Sequence, residues 1–429
     1  MGSPEWASCR GAGVPMLSLM VLLLRQHRGL RRFFAAFFQS QIGTGAAYVA
    51  LLLVAYDRLH SAWGISLVLL GEFLPGIVLS PLFGSLADRV SRRRLVICGD
   101  LLRAGCFLAL ALVHSFAATV ALAMLAGVGT AMFRPAVNAA LPGMVPASER
   151  SPLIALFYAT VNAGMMLGPG LAAALLTFAT DRQVLLVNSL TFVVSALLLA
   201  GVDLGPHRAE REEEPVELPR ESLLAQTVAG VRAAGTTPGV AVVMVVGALV
   251  VLTGAMLNVL APLLATGPLH VGGSGYSVLW AVYGTGMVVG AWANARAGSD
   301  VGALRRRWLF GIALSGTGMA FGALAPNLLS AMLAFTLIGL GENLLVGPEM
   351  RLVQELVAER LLGRVFGVKD VLENVAFVAA FLCAGALAAL LGVRVVLLAA
   401  GLLTAAMALF GLLALRARRV SEPALVPGE

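Results

Sequence analysis

Long apolar segments separated by short polar connections run through almost the whole chain. Each segment approaches the roughly 20 residues that a helix needs to cross a bilayer. Because the pattern recurs twelve times, we predict an all-α membrane protein with twelve transmembrane helices. The predicted spans are residues 33–57, 62–84, 95–113, 117–136, 152–178, 183–203, 239–265, 276–295, 304–325, 327–349, 366–391 and 394–415.

The composition supports this interpretation. Hydrophobic residues make up 59% of the chain and charged residues only 12%, and the mean hydropathy is +0.90. A soluble domain needs about twice this share of charge to cover its surface. The four cysteines and five histidines show no spacing typical of a metal site or a disulfide framework, so we expect no metal and no cofactor.

Arginines are concentrated in alternate connections. Cytoplasmic loops retain Lys and Arg because moving these charges across the bilayer is costly. We therefore predict a multi-pass protein of the cell (plasma or inner) membrane with both termini and the long middle loop in the cytoplasm. The net charge of +7 then reflects topology and contact with the lipid bilayer, and gives no reason to expect nucleic acid. The arginine-poor connections hold only Arg58, Arg182 and Arg394.

A short apolar stretch, residues 14–24, precedes the first span. It lacks the small-residue cleavage site of a secretory signal and runs directly into Arg25. We interpret it as an interfacial helix or an unstructured extension.

The chain contains two related halves. A shift of about 212 residues places Gly127 and Gly129 over Gly339 and Gly341. Six spans per half is an even number, so both halves enter the membrane from the same side as parallel repeats. The predicted domains are a cytoplasmic extension (1–32), a six-helix bundle (33–203), a cytoplasmic linker (204–237), a second six-helix bundle (238–417) and a cytoplasmic tail (418–429).

The loop after the second span carries an ordered set of glycine, aspartate and arginine residues. Its sequence from Gly84 to Arg93 resembles the G-x-x-x-D-R-x-G-R-R signature of the major facilitator superfamily, departing from it at Ser91. The resemblance implies a charged latch that stabilises one of two global states. We assign to the latch and its surroundings Gly84, Asp88, Arg89, Arg92, Arg93, Asp100, Arg103, Lys369 and Asp370. Of these, Asp100 with Arg103 is interpreted as a structural pair beside the latch, and Lys369 with Asp370 as a candidate partner for it.

A second motif lies in the fifth span. Gly164, Gly168 and Pro169 resemble the antiporter signature G-x-x-x-G-P-x-x-G-G, in which Ala172 and Ala173 replace the last two glycines. Small residues four apart let helices pack closely, and ordinary packing is the alternative interpretation. Together with residues 132–146, these motifs resemble the macrolide and siderophore exporter branch of the superfamily, often described as drug:proton antiporters. The resemblance implies export by exchange.

Ionisable residues at membrane depth are costly to bury and are therefore functional candidates. Three carboxyl groups without an obvious local base are our candidates for proton coupling, because burial favours the neutral form and so permits exchange of a proton. They are Glu72, Glu342 and Glu373. An arginine that many family antiporters carry in the fourth span is replaced here by Ala123.

Five polar residues are candidates for lining a substrate cavity or, alternatively, for bonding helices together: Gln41, Tyr48, Asn162, Asn258 and Tyr283. We predict a monomeric secondary transporter that exports a small amphipathic molecule, such as a drug, siderophore or secondary metabolite, in exchange for protons. A lipid or lysolipid flippase on the same fold is the alternative. No nucleophile motif or metal-site motif of a membrane enzyme is found in the sequence.

Overall fold

The computed structural model describes residues 16–59, 61–87, 89–146, 149–204, 231–232, 235–237, 239–296, 300–357 and 359–420. Every regular element in these ranges is helical. Each predicted span coincides with one long helix, and we number these helices in chain order. They are α1 (Arg28–Leu59), α2 (Ala62–Ala87), α3 (Arg92–Leu112), α4 (Phe116–Ala140), α5 (Arg150–Leu175), α6 (Asp181–Ala200), α7 (Val240–Thr266), α8 (Gly272–Arg296), α9 (Val301–Leu324), α10 (Leu328–Leu356), α11 (Glu359–Leu391) and α12 (Val393–Val420).

Within the described ranges, nine of these helices are long and apolar enough to cross a membrane by length and composition alone. The other three are α5, α8 and α9. Glycine, serine and threonine are frequent in α8 and α9, which lowers their mean hydropathy without preventing helix formation in a bundle. The chain is therefore a multi-pass membrane protein.

The chain divides into two compact units. The first consists of Met1–His60 and Leu67–Pro215, and the second of Ser61–Ser66 and Val216–Glu429. The first unit thus holds α1 to α6, apart from the first turn of α2, and the second holds α7 to α12. The division falls inside the predicted linker, whose residues 205–230 lie outside the described ranges; the predicted domain limits stay predictions.

The first unit has an aromatic core near the arginine-rich end of α1. Phe37 stacks on Phe133 of α4 and on Phe157 of α5, with ring centroids 6.2 and 4.9 Å apart. The short helix Met16–Gln26 packs onto α5 and places Leu23, which is fully buried, in the same core. Of the two interpretations of residues 14–24, the described part therefore supports a helix.

The second unit is centred on Trp308 of α9, which is fully buried. Around it pack apolar residues of α7, α10 and α12. The helix starts are fixed locally: Asp300 accepts a hydrogen bond from the Ala303 N–H, and Asn327 forms a capping box with Ser330. Such caps satisfy backbone N–H groups that a helix start leaves free.

The two units repeat the same close glycine contacts. A Cβ atom at Gly127 of α4 would collide with the carbonyl of Glu72, and one at Gly339 of α10 would collide with the carbonyl of Tyr283. A Cβ at Gly99 would lie 2.8 Å from the Gly129 carbonyl oxygen, and one at Gly311 would lie 2.7 Å from that of Gly341. Only glycine allows backbones to approach this closely. The 212-residue repeat is therefore confirmed inside each unit.

Candidate functional site

A buried ionic cluster joins α3 to α6 in the first unit. Asp100 and Arg103, one turn apart on α3, form an ion pair, and the Ser195 hydroxyl donates a hydrogen bond of 2.7 Å to the other oxygen of Asp100. The Asp100 side chain is fully buried, and that of Arg103 is 8% exposed. The predicted pair is thus present, and it connects two helices of one unit.

Aromatic rings complete the surroundings of Arg103. Its guanidinium carbon lies 4.4 Å from the ring centroid of Phe133 and 4.3 Å from that of Phe192. A cation between two ring faces is attracted by the negative faces of both π systems. The position of Arg103 is therefore fixed by one carboxylate and two rings, an arrangement that spacing along the sequence does not reveal.

Glu72 lies near the middle of α2. It precedes Gly84 by 12 residues, and this spacing corresponds to about 18 Å along the helix axis. Its backbone carbonyl packs against Gly127 of α4. One carboxyl oxygen of Glu72 is buried and has no hydrogen-bond partner within the described ranges. Its electrostatic interaction is with Arg103. Glu72 is thus a mid-helix carboxyl group near a cation that is already paired with Asp100.

The predicted latch is only partly described. Asp88 lies outside the described residues, and Arg89 and Arg93 are exposed. The Arg92 Nε atom is buried without a hydrogen-bond partner among the described residues. Among the described residues, a Cβ placed on Gly84 would find its nearest neighbour 3.9 Å away, at Pro135. That spacing is an ordinary van der Waals contact.

The antiporter motif of α5 packs directly on α1. A Cβ at Gly164 would lie 2.6 Å from the Cβ of Gln41, and one at Gly168 would lie 2.6 Å from the Cα of Gly45. Pro169 is inside the helix and lies next to the same contact, 3.4 Å from a Cβ placed on Gly45. The small residues therefore permit a close helix crossing, and Gln41 lies at that crossing.

The other cavity candidates of the first unit are less informative. Tyr48 is half-buried and makes a polar or ring contact. Asn162 lies on α5, but its side chain is outside the described part of the structure. Neither residue is brought next to Glu72 by any contact that we observe.

In the second unit, Glu342 and Tyr283 form a direct pair. The Tyr283 hydroxyl donates a hydrogen bond of 3.1 Å to Glu342 and joins α8 to α10. The other Glu342 oxygen lies near α7, 3.1 Å from a Cβ placed on Gly254. Asn258, one turn further along α7, donates a hydrogen bond to the Ala255 carbonyl of its own helix. The structure thus unites two residues that were predicted for separate roles.

A second ionic cluster in this unit corrects one prediction. Lys369 pairs with Glu373 and, at 3.1 Å, with Glu349. Asp370 lies on the exposed side of α11, and the assignment of Lys369 with Asp370 as a partner of the latch stays a prediction. Glu373 is not a carboxyl group without a local base, because Lys369, one turn earlier on the same helix, neutralises it.

Glu349 is a member of this cluster that the sequence analysis missed. Its side chain is 5% exposed, and its second oxygen accepts a hydrogen bond of 3.1 Å from the indole N–H of Trp308. A Cβ at Gly247 of α7 would collide with the Glu349 carboxylate. Glu349 is the last residue of the predicted tenth span, and the sequence offers no reason to assign it a role.

Two six-helix units with charged groups inside them define a multi-pass membrane protein built from two related halves. A sequence profile of the Major Facilitator Superfamily matches residues 33–299 and 243–429. These matches cover most of the chain, so the chain belongs to the Major Facilitator Superfamily, a family of secondary transporters and not of enzymes.

The curated relatives include named exporters. Macrolide efflux protein A of Streptococcus pyogenes is 23% identical over 354 residues, which are 79% of this chain and 84% of that protein. The enterobactin exporter EntS of Citrobacter koseri is 27% identical over 360 residues, 81% of this chain and 82% of that protein. Among solved structures, an inward-facing bacterial homologue of the human lysosomal transporter Spinster matches with a TM-score of 0.69 at 14% identity, covering 93% of this chain and 98% of that one. That last similarity shows the fold alone.

Proposed function

We propose that this protein exports a small amphipathic molecule in exchange for protons. Export is supported by the names of two relatives that align with about four fifths of the chain, a macrolide efflux protein and an enterobactin exporter. Exchange is supported by the resemblance of Gly164, Gly168 and Pro169 to the antiporter signature. By the positive-inside rule, both termini and the middle loop face the cytoplasm of a cell-membrane protein, which acts as a monomer.

The observation that carries proton coupling is the carboxyl group of Glu72. It lies near the middle of an apolar helix and has one buried oxygen that makes no hydrogen bond with any described residue. A carboxylate in such surroundings is poorly solvated. Burial outweighs the attraction of Arg103, which is already paired with Asp100, so the neutral form is favoured until water reaches the group. A group that binds a proton in one state of the transporter and releases it in another provides the coupling that antiport requires.

The other two candidates are less suited to this role. Glu342 has the Tyr283 hydroxyl as a hydrogen-bond partner, which stabilises its charged form. Glu373 is paired with Lys369, so its charge is compensated. We therefore place Glu72 first, Glu342 second and Glu373 third for coupling.

Alternating access by the family fold would move residues 30–203 against residues 238–417. Protonation of Glu72 would favour one of the two states, and substrate binding the other, because each ligand shifts the equilibrium toward the state that it binds more tightly. The latch around Asp88 would stabilise one state through its charge.

Inverted membrane vesicles provide the test, with a labelled macrolide as the probe and an imposed pH gradient as the driving force. Glu72→Gln keeps the shape of the protonated acid, so we expect normal expression and exchange of macrolide across the membrane but loss of gradient-driven uptake. Glu355→Gln is the matched control, because Glu355 is an exposed glutamate near the end of α10. Gradient-driven uptake by Glu72→Gln at the wild-type rate would contradict the assignment.

A labelled lysolipid in the same vesicles tests the alternative function. Flipping of the lysolipid without uptake of macrolide or enterobactin would replace the export proposal by a flippase.

A further inference from the structure

Three aromatic residues form a continuous row on one face of α8. Tyr276, Trp280 and Tyr283 are spaced four and three residues apart, which places them on the same side of a helix. The ring centroids of Tyr276 and Trp280 are 6.5 Å apart, and those of Trp280 and Tyr283 are 4.9 Å apart, both in edge-to-face geometry. All three side chains are buried and lie in the first half of α8.

One polar group in this row lacks an acceptor. The Trp280 indole N–H faces the oxygen of the Tyr276 hydroxyl, and among the described residues neither buried atom makes any other hydrogen bond. The Trp280 N–H can use the Tyr276 oxygen, but the Tyr276 O–H then still has nothing to donate to. Burying a donor without an acceptor is costly, and native proteins rarely leave such groups unsatisfied, so the Tyr276 hydroxyl indicates a ligand that supplies an acceptor.

The inner end of the row meets a carboxyl group. The Tyr283 hydroxyl donates to Glu342, and within the described ranges no lysine, arginine or histidine forms an ion pair with Glu342. In contrast, Glu349, seven residues later on α10, already has Lys369 as its cation. Glu342 is thus a carboxyl group beside aromatic rings whose compensating cation is not supplied by the described protein.

We propose that Tyr276, Trp280, Tyr283 and Glu342 form a substrate subsite for an organic cation. Electron-rich ring faces and a carboxylate together recognise ammonium and other onium groups. The positive centre would lie between Trp280 and Glu342. A hydrogen-bond acceptor of the substrate would reach the Tyr276 hydroxyl, which at 1.5 Å per residue is about 6 Å from Trp280 and about 10 Å from Tyr283 along α8. This inference rests on the proposed function and names its substrate class.

The test is equilibrium binding of radiolabelled tetraphenylphosphonium to the purified full-length protein, with tetraphenylborate as a probe of the same shape and opposite charge. We expect the wild type to bind the cation and to bind the anion much more weakly. Trp280→Leu and Glu342→Gln should each weaken cation binding about tenfold, and Trp280→Phe should lose less because it retains a ring. Trp292→Leu is the matched control, because Trp292 is on the same helix but 59% exposed.

Each outcome decides the proposal. Absence of cation binding by the wild type, equal binding of the two ions, or wild-type affinity in Glu342→Gln would overturn it. Glu342→Gln preserves side-chain shape, so the test holds even if Trp280→Leu does not fold. Macrolide uptake into inverted vesicles is measured in parallel. Macrolide uptake without cation binding would refute the subsite and leave the export function standing. Cation binding at this site without uptake of any probe would refute the export function and leave the subsite standing.

Discussion

Replacing Arg103 by methionine removes a cation that one carboxylate and two aromatic rings hold inside the first unit. Asp100 is then left fully buried, with the Ser195 hydroxyl as its one described partner. Removing one member of a buried ion pair costs about 3–5 kcal/mol, because the remaining charge stays buried without compensation. For a unit of this size, about 2–4 °C of melting temperature corresponds to each kcal/mol. We therefore expect Arg103→Met to melt about 6–20 °C below the wild type.

A double variant supplies a rescue. The positions of the second half that correspond to Asp100 and Arg103 hold the uncharged residues Ile312 and Ser315, since both pairs differ by 212 residues. Replacing both members of a buried pair by apolar residues of similar volume is often neutral. The double variant Asp100→Leu with Arg103→Met should therefore recover most of the lost melting temperature.

The melting temperatures of the wild type, of Arg103→Met and of the double variant are measured on detergent-purified protein by thermal unfolding, followed by tryptophan fluorescence. Ser195→Ala serves as the graded control, because it removes one hydrogen bond to a charged group, worth about 1.5–3 kcal/mol. A double variant as unstable as Arg103→Met would show that the pair is not the source of the loss. A melting temperature of Arg103→Met equal to that of the wild type would refute the reasoning altogether.

Three further predictions concern packing, topology and the latch. Gly168→Ala should reduce the yield of folded protein, because its methyl group would meet the backbone of Gly45 at 2.6 Å. Gly170→Ala on the same helix meets nothing within 4 Å and should be neutral or slightly stabilising. Fluorescence-detected size-exclusion chromatography compares the two yields, and equal losses would argue against the close crossing. A reporter fused after Glu213 should give a cytoplasmic signal and one near Gly273 an external signal, and reversed signals would invert the topology. Asp88→Asn should insert normally but transport far more slowly in the vesicle assay; wild-type transport would make Asp88 an ordinary loop residue.

The helices were predictable from the sequence because a membrane allows few alternatives to a long apolar helix. The ends were less predictable. The tenth helix continues from the predicted 349 to Leu356, and the eleventh begins at Glu359 and not at 366. Hydropathy falls where charged residues appear, although the helix itself continues beyond the hydrocarbon.

The glycine contacts were also predictable, since the 212-residue shift identified Gly127 and Gly129 with Gly339 and Gly341. Side-chain partners were not. The sequence analysis grouped Lys369 with its neighbour Asp370, whereas the ion pairs of Lys369 are with Glu373 on α11 and with Glu349 on α10. Likewise, the pairing of Glu342 with Tyr283 joins residues 59 positions apart on two helices, and periodicity within one helix carries no information about it.

Proton-coupled export is the central claim, and reconstituted liposomes test it most directly. The purified protein is placed in vesicles loaded with acidic buffer, diluted into neutral buffer, and the uptake of a labelled macrolide is followed. We predict uptake against a concentration gradient, which stops when nigericin collapses the pH difference and which is absent in Glu72→Gln. Uptake that continues unchanged after the gradient has been collapsed would contradict proton antiport.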